Sequence, residues 1–286
     1  MADITAATVM KLRKMSGQGM MDCKAALQES GGDLDEAMAT LRKKGLATLA
    51  KRAGRDTTEG QVVSKVTEDG KTAAICSLCC ETDFAAKSED FGVVAGQLAD
   101  YAMVCTADEG PDALLATEVD GKKFETVLTD MVSKTGEKTE VGDYVRYKIA
   151  GSGVFGNYIH FNNKLGALVE IETSSDEVSC AIAVVAKEIA MHITATNPAS
   201  VDSDSFDPAV IEKEREIARE QVKDKPAQII DKIVDGKIGK FLADNCLVDQ
   251  SFVKDDSLKV SEALDKAAKA AGGTAKIKRF VRVAIG

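Results

Sequence analysis

Tryptophan is absent from these 286 residues, and all aromatics together make up 5% of the chain. Histidine occurs twice, His160 and His192, and neither accompanies a G-x-S-x-G elbow or an H-E-x-x-H helix, so the usual hydrolase and zinc-protease arrangements are missing. Scattered carboxylates in solvated helices do not supply positioned acid and base groups. The expectation is that the protein is not an enzyme and uses no cofactor. Seven cysteines (Cys23, Cys76, Cys79, Cys80, Cys105, Cys180, Cys246) are odd in number and too scattered for a disulfide framework, which leaves reduced thiols. No long apolar run exists either. The longest uncharged one, CAIAVVA at 180–186, is far short of the ~20 residues that cross a bilayer. The amino terminus, MADITAATVMKLRK, has an early acid and no basic-then-apolar leader, and the expected location is cytoplasmic.

What is present is a charged, moderately hydrophobic chain with a formal charge of −9, a poor polyanion binder as a whole. The charge is uneven. Residues 1–55 hold ten Lys or Arg against six Asp or Glu, a net +4, so the remaining 231 residues carry −13. The basic residues Arg42, Lys43, Lys44, Lys51, Arg52 and Arg55 could touch nucleic acid, but no aromatics interleave them and the acidic body opposes a duplex.

The spacing of apolar residues predicts an α+β protein. Residues 1–55 read as three helices: one capped by Thr5 with Val9, Leu12 and Met15 on its apolar face, one from Met20, and one capped by Asp33 and closed by Gly45. A polar linker, RAGRDTTEG, follows. Beyond Gly60 the period becomes two: QVVSKV, the turn TEDGK and TAAICSLCC form a hairpin, and Ser88 opens a helix with Phe91, Val94, Ala95, Leu98 and Cys105 on one face. After a variable acidic stretch come the strands GDYVRYKIAG, GVFGNYIHF and LGALVEIET and a helix from Ser174 or Ser175. Ala95, Leu98, Ala99 and Tyr101 match Ala186, Ile189, Ala190 and His192 in spacing, which hints at a duplicated hairpin-plus-helix unit. Residues 205–246 predict an antiparallel helical hairpin, introduced by Pro208 and Pro226 and standing off the body, because its first helix is mostly charged. A last helix, SLKVSEALDKAAKAAGG, and a returning strand, AKIKRFVRVAIG, close the chain. The units expected are 1–55, 56–150, 151–204, 205–246 and 247–286.

Two apparent motifs fail on spacing. Gly70-Lys71-Thr72 resembles the tail of a phosphate loop, but Lys65 stands where that loop needs its first glycine. Cys76-x-x-Cys79 with Cys80 has no second pair of metal ligands at finger spacing, so no metal site is expected, and small thiols pack well in a buried strand. His192 reads as a satisfied helix-core residue. ETDFAAK at 81–87 is less easily dismissed. Phe84 lies seven residues before Phe91, on the same stripe if one helix begins at Thr82, and yet it sits between Asp83 and Lys87.

LRKMSGQGMMDCKAAL (12–27), ETDFAAK, SKTGEK (133–138), GNYIH (156–160) and IAMHITATNP (189–198) together resemble the elongation factor Ts family, in order and over nearly the whole chain. The resemblance implies an amino-terminal ubiquitin-associated-like helical module, a core of two α+β subdomains and an inserted helical hairpin of coiled-coil type. It implies guanine-nucleotide exchange on elongation factor Tu, with Asp83 and Phe84 entering the nucleotide domain beside its magnesium site. It also implies partner contacts by Arg13, Met20, Met21, Gly136 and His160. No membrane and no direct nucleic-acid contact are expected, and the hairpin is a candidate homodimer contact. Two departures from what the resemblance implies stand out: Thr135 where some family members carry isoleucine, and an expected grip by head and core without the extra carboxy-terminal module that some members use. The competing readings are an RNA-associated module using the basic head and, behind it, a cysteine-dependent metal or redox protein.

Overall fold

The computed structural model describes residues 4–286; Met1–Asp3, the start of the expected 1–55 unit, lie outside it. The chain opens with helices α1 (Ala6–Ser16), α2 (Met20–Glu29) and α3 (Leu34–Arg52). Strands β1 (Glu59–Val66) and β2 (Thr72–Cys80) form a hairpin, followed by the single turn α4 (Asp83–Ala86) and by α5 (Glu89–Val104). Next come α6 (Pro111–Ala116), the short pair β3 (Glu118–Val119) and β4 (Lys122–Lys123), α7 (Phe124–Thr135) and β5 (Thr139–Lys148). The second half holds β6 (Gly153–Ile159), β7 (Leu165–Thr173), α8 (Asp176–Ala181) and α9 (Ala183–Thr196). It continues with α10 (Pro208–Gln221), α11 (Ala227–Asn245), β8 (Ser251–Phe252), β9 (Asp255–Lys259), α12 (Val260–Ala270) and β10 (Ala275–Ala284). The class is α+β, and every strand pair named here is antiparallel.

Two three-stranded sheets, β1-β2-β5 and β10-β7-β6, form the centre. They face each other through Val62, Ile75, Tyr147, Phe155, Leu168 and Val283. The outer face of the first is covered by α5 and α7 through Leu78, Phe91, Leu98 and Phe124, and that of the second by α9 and α12 through Val169, Ile189 and Leu264. This four-layer order explains why β2 and β7 are buried without alternation: each is a central strand covered on both faces. Helices α10 and α11 pack on each other around Ala218, Val222, Val234 and Ile238, a separate small core.

Five details differ from the sequence reading. Gly45 does not close α3, which runs on to Arg52; it is buried where α3 crosses α7, and a methyl there would lie 2.8 Å from the Thr129 carbonyl. A glycine read as a stop is a point of close helix contact. Met15 is exposed, while Val9 and Leu12 enter the head core with Cys23, Ala26 and Leu27. The acidic stretch after α5 contains α7, whose Phe124, Val127, Leu128, Met131 and Val132 are buried at helical spacing. Ser257–Lys259 belong to β9, so α12 starts only at Val260. Phe84 does not share the α5 stripe, because Ser88 caps α5 separately, accepting from Phe91 N–H and donating to the Ala85 carbonyl.

Candidate functional site

The turn carrying Asp83 and Phe84 forms because β2 ends at Cys80 and Thr82, in extended conformation, caps α4 through the Ala85 N–H. Ala85 and Ala86 tuck into the first core, which anchors the turn from beneath. Gln61 Nε2 donates to the Ala86 carbonyl (2.6 Å) and ties it to β1. With the small residues inward, the Phe84 ring points outward and is 85% exposed. Asp83 accepts from Lys87 (2.6 Å), and that ammonium holds its carboxyl below the usual carboxylate range. Both partners are exposed, so water screens the pair and a competing surface can displace it.

A set of polar bonds fixes the turn to two other segments. Glu81, mostly buried, accepts from Arg52 Nη1 at 2.7 and 2.8 Å and from the Lys138 backbone N–H at 2.6 Å; that backbone bond first, then Arg52, keeps its carboxyl ionised to lower pH than usual. Thr82 Oγ1 donates to the Glu137 carboxylate at 2.9 Å. Helix α3, the turn and the loop after α7 therefore meet at one point. Gly136, at φ 70°, ends α7 in the left-handed region and donates to the Val132 carbonyl, so any contact it makes is a backbone contact. Thr135 turns its hydroxyl back onto the Met131 carbonyl and accepts from Glu137 N–H, serving the loop instead of presenting an apolar tip.

His160 lies at the end of β6, its Nδ1 3.1 Å from the Tyr158 hydroxyl. The β6–β7 turn that follows forms one wall of a cleft. Asn162, Asn163 and Lys164 line that wall, Asp83, Ala86 and Lys87 the opposite wall, and Glu59 to Gln61 the floor. Arg13, Met20 and Met21 stand exposed on α1 and α2, outside this cluster. The head carrying them is packed on α7: Gln18, oriented to satisfy both groups, donates to the Ser133 carbonyl (2.6 Å) and accepts from Lys134 N–H (3.0 Å). Arg42 pairs with Asp130 at 3.5 Å.

The competing readings lose support on geometry. Cys76 lies among the α5-side core and Cys79 packs toward the other sheet, since an odd separation along a strand places two side chains on opposite faces. Burial pushes the thiols of Cys76 and Cys80 up to about 12. Among the described residues no group of three or more His, Cys, Asp or Glu is arranged to hold a metal. Three of the six basic head residues are already paired: Arg42 with Asp130, Lys44 with Asp22 and Arg52 with Glu81. His192 is fully buried, accepting at Nδ1 from Val253 N–H and donating from Nε2 to Gln250. No helix of the described residues is long and apolar enough to cross a membrane.

A family described as Elongation factor TS matches residues 81–286. The chain belongs to the elongation factor Ts family. It is 42% identical over 285 residues to elongation factor Ts of a Nitratiruptor species, covering 99% of this chain and 93% of that one. It is 40% identical over 287 residues to that of Nitratidesulfovibrio vulgaris, covering 99% and 96%, and 40% over 291 residues to that of Chlorobaculum parvum, covering 100% of both. Membership in the elongation factor Ts family places the chain among translation elongation factors. The sequence reading missed the role of Arg52, Glu81 and Glu137 in positioning the turn; the signal for Glu81 was its place directly before Thr82 at the end of a buried strand.

Proposed function

We propose that the protein is the guanine-nucleotide exchange factor of elongation factor Tu and that Asp83 and Phe84 enter the partner's nucleotide domain beside its magnesium site. The observation that carries this reading is Phe84: a phenyl ring 85% exposed on a turn that is capped, anchored by two buried alanines and bonded to two neighbouring segments. Folding gains nothing from exposing it, whereas a pre-ordered aromatic is the kind of group that dominates protein interfaces. Gly136 and His160 stand on neighbouring segments of the same face, and Arg13, Met20 and Met21 extend the grip from the head. Exchange then follows from linkage: if the factor binds the empty partner more tightly than the GDP-bound one, GDP is weakened by the same ratio. No covalent step is needed. In this reading residues 1–55 form a ubiquitin-associated-like module, 56–150 and 151–204 with 247–286 form the core subdomains, and 205–246 is a coiled-coil hairpin available for homodimer contact, all in the cytoplasm.

The test is the rate of release of labelled GDP from elongation factor Tu on adding the protein. Stimulation by the parent, with at least about tenfold slower release for Phe84→Ala, is expected, since each lost 1.4 kcal/mol of differential binding is a factor of ten. Truncating an exposed ring costs stability within about 0.5 kcal/mol. A loss of about 3–5 kcal/mol would instead mark a buried ring. No stimulation by the parent would refute the proposal.

A further inference from the structure

Of the nine phenylalanines, Phe91, Phe124, Phe155, Phe206 and Phe252 are buried, Phe241 and Phe280 half-buried, and two stand in solvent: Phe84 at 85% exposure and Phe161 at 88%. Those two flank one cleft, for Asp83 and Asn162, their immediate neighbours, line its opposite walls. Phe161 follows His160, and the two rings lie 4.4 Å apart, tilted by 51°, so the imidazole braces the phenyl while most of the phenyl stays in solvent. Its base is rigid. His160 N–H donates to the Leu165 carbonyl and Asn163 N–H to the His160 carbonyl, both at 2.8 Å. Asn163 takes the left-handed conformation at φ 56°, and its carbonyl accepts from Val62 N–H at 2.6 Å. Asn162 Oδ1 accepts from Lys164 N–H, and Lys164 pairs with Glu59 at 2.7 Å.

We infer that Phe161 is a second apolar anchor, one that docks on the nucleotide-binding partner next to the surface that receives Phe84. This rests on the exchange-factor reading above and goes beyond it. Continuity supports the assignment, since the cleft wall leads from the Asp83–Phe84 turn directly to the β6–β7 turn, and His160 both belongs to the expected contact set and supports the ring. The two anchors divide the work. Phe84, on the turn expected beside the nucleotide, changes how tightly GDP is held. Phe161, across the cleft, adds contact energy regardless of the nucleotide and so sets how much factor is needed.

The experiment titrates the full-length protein, as parent, Phe161→Ala, Phe161→Leu and Phe84→Ala, into elongation factor Tu loaded with labelled GDP, recording release rate against factor concentration. The expected result for Phe161→Ala is a half-saturating concentration raised about tenfold, equal to about 1.4 kcal/mol, with the saturating rate within about twofold of the parent. Phe161→Leu keeps most of the affinity, and Phe84→Ala lowers the saturating rate instead. A Phe161→Ala protein that melts with the parent and half-saturates at the same concentration overturns the anchor. So does one whose only change is loss of self-association in sedimentation, since that makes a second copy of this chain the occupant. Should Phe161→Ala fail to fold, the ring is structural and the inference is wrong. A parent that releases no GDP at any concentration refutes the exchange-factor reading itself.

Discussion

Replacing Gly45 by alanine separates two accounts of the amino-terminal head. A module tethered by a polar linker is indifferent to the change or gains from it, because alanine is the better helix former by about 1 kcal/mol. In the structure Gly45 is the point where α3 touches α7. A methyl there falls directly on Ser133 Oγ and 2.8 Å from the Thr129 carbonyl oxygen. The hydroxyl can rotate, giving up its bond to the Leu41 carbonyl. The backbone carbonyl cannot, and since ordinary carbon contacts begin near 3.5 Å, the helices must part by roughly 0.7 Å. Overpacking of this kind costs about 1–3 kcal/mol, so the propensity gain is outweighed by about 1 kcal/mol and the loss falls on the seam between head and core. The control is Gly96 in α5, where an added methyl meets nothing within 4 Å. Gly96→Ala should raise the melting temperature, and Gly45→Ala should lower it by about 2–4 °C. Gly45→Ala should also expose the chain near 53–58 to limited proteolysis and raise the concentration needed for GDP release. Equal stabilisation by both substitutions would refute the packed seam.

Three further outcomes are expected. Glu81→Ala and Arg52→Ala should each slow exchange and together be less than additive, with a coupling of about 0.5–1 kcal/mol given the half-exposed guanidinium; additive losses would mean the pair does not hold the turn. Burial lowers the His192 pKa below its ordinary 6.5, so the neutral ring's contribution to stability is complete above about 6.5 and lost as the pH falls. The slope can reach about 1.4 kcal/mol per pH unit, and His192→Gln should flatten it in melts between pH 5 and 7.5. Excising 207–243 with a short Gly-Ser bridge should leave the core transition intact, since the hairpin has its own small core and the Asn245 carbonyl still accepts from Ala199 N–H at its base; collapse of circular dichroism in the two sheets would show that the hairpin belongs to the core.

Much of this was legible because the signals were local. Thr5, Asp33, Ser88, Ser175 and Asp207 cap helices by side-chain bonds to N–H groups two or three residues on, and a cap is written in a few adjacent letters. What was not legible depends on partners distant in sequence. Gly45 looks like a stop unless Ser133 and Thr129 are known to face it. The period of α7 is plain once noticed, but its core-facing residues are interleaved with Glu125, Asp130 and Lys134, which hid it in an acidic stretch. The bond from Arg52 to Glu81 joins residues 29 apart. Phe161 shares its local pattern, an aromatic at a strand end, with residues that are buried, and only the tertiary fold decides which way such a ring faces.

The duplication hinted at by the helix spacing extends to the site and shows what is special about it. Cys80-Glu81-Thr82-Asp83-Phe84 and Ile171-Glu172-Thr173-Ser174-Ser175 lie 91 residues apart, each at the end of the middle strand of a three-stranded sheet and each followed by a capped helical turn. The helices beyond bury Ala95, Leu98, Ala99 and Tyr101 in one copy and Ala186, Ile189, Ala190 and His192 in the other. In the second copy Ser175 accepts from Val178 N–H, and Ser174 accepts from Thr274 N–H where β10 arrives, with Gly273 packed against both Ser174 and Val178. Both serines are consumed by the fold. In the first copy β5 arrives at the turn, its Thr139 paired with Cys80, and the Lys138 N–H just before it donates to Glu81. Its polar bonds to neighbouring segments are made by Glu81 and Thr82, two positions earlier, while Asp83 pairs with the exposed Lys87 and Phe84 stands in solvent. The architecture thus requires a capped turn after the middle strand, and in the first copy Asp83 and Phe84, at the positions the two serines fill in the second, stand at the surface.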